Sequence, residues 1–323
     1  MKNIMILDTS IGTLNLGDEI IVDSVNRELR KIFPGDMFLK IPTHEKIGRV
    51  GHARINLSEK AFVAGTNLLS SQNRLFRTNQ WNINAIDSIK MDKENIILMG
   101  VGWQNYQDKP NLATKILYTN ALSKGYIHSV RDNYTKEKLK SIGINNVYNT
   151  GCPTMWELNR KHCDKIPVKK SKNVVCTFTD YRPDIESDNL LISILEKNYD
   201  KIYCWIQGHK DLEYINKLSS KSLILINPNL KDYDNILDSD QELDYVGTRL
   251  HAGVRAMQKK RRSIIIGVDN RAIEKKKDFN LNVIERINLK NLDDYINSEF
   301  KTDIKLDFEV IDNWKKQFID YKL

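Results

Sequence analysis

Arg249, His251 and Arg255 crowd one short run, DYVGTRLHAGVRAMQKKRRSIIIGVD, from Asp244 to Asp269. Guanidinium groups bind oxyanions through charge-assisted, often paired hydrogen bonds, and an imidazole moves a proton near neutral pH. Gly247 and Thr248 stand where a Ser/Thr-type cap is expected, so a helix opening there puts Arg249 and His251 in its first turn. That turn carries unpaired N–H groups and the positive end of the helix dipole, which together receive an anion. His251 and Arg255 are four apart and share a face, while Leu250, Val254 and Met257 turn inward. The plainer reading is that these side chains lie on a helix surface, satisfied by neighbouring partners.

The elements that must position this run are strands and helices in alternation. Asn3–Leu7 reads as a first strand, followed by the loop TSIGTLNLGD and a helix from Asp18 to Lys31. Asp18 suits a helix N-terminus, and Gly17 lets the backbone turn or approach a ligand. The loop has neither the GxGxxG nor the GxxxxGK[ST] spacing, so it is not a dinucleotide fingerprint or a P-loop. Further strands are expected at Met37–Ile41, Ala61–Ala64, Asn95–Met99, Tyr126–Val130 and Asn146–Tyr148, with a polar loop over His44–Ser58. The strands from Ala61, Asn95 and Tyr126 end in Gly65-Thr66-Asn67, Gly100-Val101-Gly102 and Arg131-Asp132. A parallel sheet binds ligands at such carboxyl ends, which brings Asn15, Gly65, Gly102 and Arg131 into view.

The run NRKHCDKIPVKKSK is charged, aperiodic and contains Pro167, and reads as a linker. A second strand–helix series follows, with strands at Asn173–Phe178, Lys201–Ile206, Leu223–Ile226, Leu243–Val246 and Ser263–Val268. Helical spacing closes the chain at Leu292–Ile296 and Phe308–Tyr321. The division expected is an N-terminal Rossmann-like domain over 1–160, a linker over 161–172, a second Rossmann-like domain over 173–300 and a C-terminal helix over 301–323. His209 and Asp211 fall at a strand end of the second domain. Trp103 and Trp205 offer rings for a sugar, with core packing the commoner use.

Composition bounds the function. With 323 residues, 41% hydrophobic and 28% charged, the chain is a globular protein long enough for two domains. A net charge of +8 suits an anionic small molecule or an acidic surface. The lysines are scattered and the aromatics follow no RNA-binding pattern, so nucleic acid is not expected as a partner. Cys152, Cys163, Cys176 and Cys204 form neither a disulfide framework nor a CxxC zinc pair, and no metal is expected. The N-terminal residues read as a strand and not as a signal peptide, and no apolar run reaches the length of a membrane span. The expected place is the cytoplasm, with peripheral contact at the inner face of the membrane left open through the basic cluster Lys259–Arg262.

The pieces Asn15–Glu19 (NLGDE), Gly65–Asn67 (GTN), Ser129–Asp132 (SVRD) followed by Thr150–Pro153 (TGCP), Gly247–Ala252 (GTRLHA) and Val268–Arg271 (VDNR) occur in this order along nearly the whole chain. On them the sequence resembles the polysaccharide pyruvyltransferase family. The resemblance implies an α/β fold of two Rossmann-like parallel-sheet domains facing a cleft, like the GT-B glycosyltransferases, with the acceptor mainly on the first domain and the donor on the second. It implies transfer of pyruvate from phosphoenolpyruvate, with no cofactor, onto two hydroxyls of a sugar in a cell-surface polysaccharide or its lipid-linked precursor, forming a ketal. It assigns catalysis to His251 and Arg249. Substrate binding falls to Arg131, Asn15, Gly17, Asp18, Gly65, Asn67, Leu250 and Arg271. The chain departs from the family pattern at Gly65–Asn67 or Gly100–Gly102, at Cys152 and at Arg271. Two further readings stay open, a GT-B glycosyltransferase using a nucleotide sugar and a non-catalytic member that binds a glycan.

Overall fold

The computed structural model describes residues 1–77, 79–91, 95–219 and 222–319. They form two compact units, one of residues 1–13, 21–156 and 306–323 and one of residues 14–20 and 157–305.

The first unit runs β1 (Asn3–Asp8), α1 (Gly17–Ile32, whose residues 17–20 group with the second unit), β2 (Met37–Pro42), α2 (Arg49–Leu57), β3 (Lys60–Ala64), α3 (Ala85–Lys90), β4 (Ile96–Met99), α4 (Leu112–Ala121), β5 (His128–Val130), α5 (Asn133–Lys140) and β6 (Val147–Asn149). Its main sheet has the order β2-β1-β3-β4, all parallel. The parallel pair β5-β6 continues it through a bridge between Val101 and Val130. Both faces are covered, as a parallel sheet requires. Met5, Leu7, Val63 and Leu98 enter one core, and Ile4, Ile6, Phe62 and Ile97 the other. The C-terminal helix Phe308–Lys316 closes the second core, with Trp314 edge-on to Phe62 and its Nε1 donating to the Ile127 carbonyl at 2.7 Å. That packing is why residues 306–323 group with the first unit. Tyr321, placed in this helix by the sequence, lies outside the described residues.

Between β4 and β5 an imidazole takes the place of a backbone rung. His128 Nδ1 accepts from the Leu98 N–H at 3.2 Å, so its Nε2 carries the proton and donates to the Ser123 carbonyl at 2.9 Å. Burial pushes the His128 pKa down to about 4, which keeps the ring neutral in this role.

In the second unit, α6 (Arg160–Cys163) lies within the segment expected as a linker. Then come β7 (Asn173–Cys176), α7 (Ile185–Asn198), β8 (Lys201–Trp205), α8 (Asp211–Ile215), β9 (Leu223–Ile226), α9 (Leu230–Leu237) and β10 (Leu243–Gly247). The unit ends with α10 (Leu250–Gln258), β11 (Ser263–Gly267), α11 (Asn270–Phe279), β12 (Val283–Glu285) and α12 (Leu292–Asn297). Its parallel sheet has the order β12-β11-β10-β7-β8-β9. Strand order reverses between β7 and β10, the switch point where such sheets open a crevice for ligands.

Two expectations change here, and Trp103 and Trp205 take the packing role that is the commoner use of the residue. His44–Ser58 is not all loop, because α2 forms with only Ile55 buried, too little to write an apolar period. The basic cluster Lys259–Arg262 is not a free surface patch. Lys259 pairs with Asp238 at 2.5 Å, Arg261 donates to the carbonyls of Leu237, Ser239 and Gln241, and Arg262 is fully buried against Asp244 at 2.7 Å. Trp103 and Trp205 are fully buried: Trp103 Nε1 bonds Ser71 and Gln107, and Trp205 stacks on Tyr233 at 4.0 Å.

Candidate active site

The switch point of the second unit is built by the ends of β7 and β10. Thr248 does not cap α10, for its hydroxyl meets Thr179 at 2.8 Å and the Thr177 carbonyl at 3.2 Å. Arg249 holds the N-cap position instead, with no side-chain cap on the helix, and Leu250 and His251 are its first two residues. The opening N–H groups of α10 thus lack the usual oxygen partner from a cap side chain. His251 is nearly fully buried there.

Arg249 is held from two sides. Nε donates to the Phe178 carbonyl at 3.1 Å, and Nη2 bonds both Asp180 Oδ1, at 2.9 Å, and Asp211 Oδ1. Asp211 is the hub, because its carboxylate also receives the backbone N–H groups of Gly208 (2.6 Å), Gln207 (3.2 Å) and Asp180 (3.2 Å). Burial pushes the Asp211 carboxyl up, against the opposing pull of Arg249.

Tyr181 lies beside two guanidiniums. Its ring centroid is 5.0 Å from Arg249 and 5.3 Å from Arg271. Arg271 bonds Asp269 through Nε at 3.0 Å and Nη2 at 2.5 Å, and the same Nη2 meets the Tyr181 hydroxyl. Burial disfavours the Asp269 carboxylate, yet Arg271 beside it and the Tyr181 hydroxyl outweigh that and hold it well below the usual carboxylate range. Asp269 also caps α11. In both arginines Nε and Nη2 are engaged, and Nη1 makes no hydrogen bond among the described residues.

Residues 14–20 belong to this unit. Leu16 N–H donates to the Gln207 carbonyl and His209 N–H to the Leu14 carbonyl, an antiparallel bridge of Asn15 with Gly208. Asn15 Oδ1 accepts from the Gly17 N–H at 3.2 Å and from Gln207 Nε2 at 2.7 Å. A Cβ on Gly17 would stand 2.8 Å from that Nε2. Asp18 is close enough to favour the charged form of Arg271.

The second unit therefore brings together Asn15, Gly17, Asp18, Arg249, Leu250, His251 and Arg271. Arg131, Gly65 and Asn67 lie in the first unit. Arg131 is buried, its Nε on Asp132 at 3.0 Å and its Nη2 on the Trp103 carbonyl at 2.8 Å. It rests on Gly102, where a Cβ would be 1.9 Å from Nε. Gly65 (φ +63°) has its open side filled by Ile21, whose Cγ2 would be 2.3 Å from a Cβ, so the close approach there is to protein. Asn67 accepts from Thr66 Oγ1 at 3.2 Å. Arg255, named in the sequence beside His251, forms a two-point pair with Asp234 at 2.8 and 2.6 Å. Sequence reasoning passed over Asp180, Tyr181 and Asp269. The signal for the first two was a polar ThrAspTyrArgPro directly after a buried strand.

Comparison with known proteins follows the same lines. The polysaccharide pyruvyl transferase family matches residues 15–270. No curated protein matches the chain. Among solved structures, S. aureus MnaA with UDP is 12% identical at a TM-score of 0.56, covering 99% of this chain and 97% of that one. A UDP-GlcNAc 2-epimerase from Neisseria meningitidis is 10% identical at a TM-score of 0.45, covering 99% and 93%. The likeness to MnaA is one of fold, two Rossmann-like domains of the GT-B kind.

Proposed function

The chain belongs to the polysaccharide pyruvyl transferase family, and from that membership we propose that it moves pyruvate from phosphoenolpyruvate onto two hydroxyls of one sugar residue. Its family makes it a transferase of polysaccharide biosynthesis. The acceptor in this reading is a saccharide or a lipid-linked oligosaccharide, and the donor needs no cofactor.

The observation that carries the reading is the pair of guanidiniums beside Tyr181, each pinned through Nε and Nη2. Their Nη1 groups and the uncapped start of α10 suit a small donor bearing a carboxylate and a phosphate. The paired Asp180, Asp211 and Asp269 hold the arginines in place before a donor arrives, so little ordering remains to be done on binding.

The donor's methylene carbon takes a proton, a sugar hydroxyl oxygen bonds to the neighbouring carbon, and the bond from that carbon to the phosphate oxygen breaks. A second hydroxyl closes the ketal. The two hydroxyl protons equal the one gained by the methyl group and the one leaving with phosphate. His251, at the first turn of α10, is the residue assigned to move a proton, and Arg249 and Arg271 stabilise the departing phosphate charge.

The test is phosphorus NMR of phosphoenolpyruvate incubated with the protein and a panel of oligosaccharides. Phosphate release coupled to a new ketal methyl signal, lost in His251→Gln with the fold retained, supports the reading. Consumption of a nucleotide sugar instead, with phosphoenolpyruvate untouched, would select a glycosyltransferase on the same fold.

A further inference from the structure

Six basic side chains of the first unit, Lys46, Arg49, Arg54, Arg74, Arg77 and Lys90, are exposed and make no ion pair among the described residues. Among them stand five exposed apolar side chains: Val50 (62%), Leu57 (70%), Phe76 (76%), Ile86 (52%) and Ile89 (64%). On α2, Val50, Arg54 and Leu57 follow helical spacing and share the face opposite buried Ile55. On α3, Ile86, Ile89 and Lys90 do the same.

These are one surface. His52 Nε2 meets Asp87 Oδ1 at 2.9 Å and Asn56 Nδ2 donates to the Lys90 carbonyl at 3.2 Å, so α2 and α3 lie side by side. Arg49, Asn56, Ile86 and Lys90 line a shallow pocket between them. Phe76 joins the start of α3, because the Ala85 N–H donates to the Leu75 carbonyl at 2.7 Å. The acids of the stretch are directed elsewhere. Asp87 is buried against His52 and the Asn84 N–H, Glu59 pairs with Lys2 at 2.8 Å, and Glu45 reaches towards Gly12.

We propose that this face of α2, α3 and residues 74–77 docks the protein on an anionic lipid bilayer. A polyanion alone would use the cations and leave Phe76, Leu57 and Ile89 in water. An ordinary protein partner would need acids matched to six scattered charges. The edge of a bilayer takes both, apolar side chains at the acyl boundary and cations against anionic headgroups. The surface differs from the Lys259–Arg262 cluster, in which Lys259, Arg261 and Arg262 are already engaged, and it does not depend on which donor the active site uses.

The experiment is sedimentation of the full chain with vesicles of phosphatidylcholine, alone or mixed with phosphatidylglycerol. The protein should bind the mixed vesicles about tenfold more tightly than the neutral ones, and high salt should release it. Arg49→Glu/Lys90→Glu and Leu57→Ser/Ile89→Ser should each weaken that binding about tenfold while leaving the melting temperature and its response to phosphoenolpyruvate unchanged. Four outcomes overturn the proposal: no binding to mixed vesicles, equal binding by wild type and both variants, full binding retained in Leu57→Ser/Ile89→Ser, or self-association that those variants abolish without any vesicle binding.

Discussion

Arg249 lies across Gly208, with Nη2 only 2.1 Å from the point a Cβ on that residue would occupy. The same Cβ would be 2.9 Å from Asp211 Oδ1. Residue 208 is thus the floor on which the guanidinium rests, and any side chain there must lift Arg249 away from Asp211. Gly208→Ala should weaken phosphoenolpyruvate binding by at least about tenfold and cost roughly 1–3 kcal/mol of stability. Titration calorimetry and a denaturant midpoint measure the two effects. Donor affinity equal to wild type would show that the position of Arg249 does not matter.

Tyr181 separates two functions in one side chain, since its ring faces Arg249 and Arg271 while its hydroxyl meets Asp269. Tyr181→Phe keeps the ring and should lower donor affinity only a few-fold. Tyr181→Ala removes both and should lower it by about tenfold or more, a ring–cation contact being worth on the order of 1 kcal/mol per arginine. The same titration checks this, and a larger loss in the Phe variant than in the Ala variant would contradict it.

Arg262 and Asp244 form a fully buried pair at 2.7 Å, with Arg262 also under the Phe300 ring at 4.2 Å. Arg262→Met leaves the Asp244 charge buried without its partner and should cost about 3–5 kcal/mol. Arg262→Met/Asp244→Leu should recover much of that loss. Urea midpoints decide it, and neither variant, once folded, should bind vesicles differently from wild type.

Stability should change with acid in opposite senses in the two units. His128 titrates near 4 in the fold against an ordinary value of 6.5. Between these pH values the unfolded chain binds the extra proton, so the first unit loses stability as pH falls, by up to about 3 kcal/mol. Burial raises the Asp188 carboxyl to about 6 from 3.8, with the Tyr214 hydroxyl and Arg286 opposing. There the folded chain holds the extra proton, so the second unit gains stability as pH falls from 6 to 3.8. His128→Asn should flatten the acid loss of the first unit, and Asp188→Asn the gain of the second, in hydrogen exchange resolved by segment. An unchanged pH profile in His128→Asn would refute the assignment.

Strands with both faces buried were the most legible part of the chain. Ile4–Leu7, Ala61–Ala64 and Ser263–Gly267 are continuous apolar runs, and each is a strand in the structure. Helices without an apolar stripe were not legible. The α2 helix buries only Ile55, and α11 carries the polar run NRAIEKKKDF. At the site, Arg249 stood out from residue types and spacing, and Arg271 only from the family resemblance. Of their partners only Asp211 was in view, as a strand-end residue; Asp180, Tyr181 and Asp269 were not, because they come from other strand ends and only the sheet order brings them together. The same limit hid the commitment of Arg255 to Asp234, twenty-one residues upstream.

The carboxyl edge of the second unit is the proposed phosphoenolpyruvate site, with Arg249 and Arg271 as its anion-binding groups. Titration calorimetry of phosphoenolpyruvate into wild type, Arg249→Ala and Arg271→Ala, with UDP-N-acetylglucosamine as comparator, tests it most directly. Wild type should bind tighter than about 1 mM, the upper end of ordinary substrate affinities, and each folded variant at least tenfold more weakly. Tight binding of the nucleotide sugar, with no heat from phosphoenolpyruvate at that concentration, would contradict it.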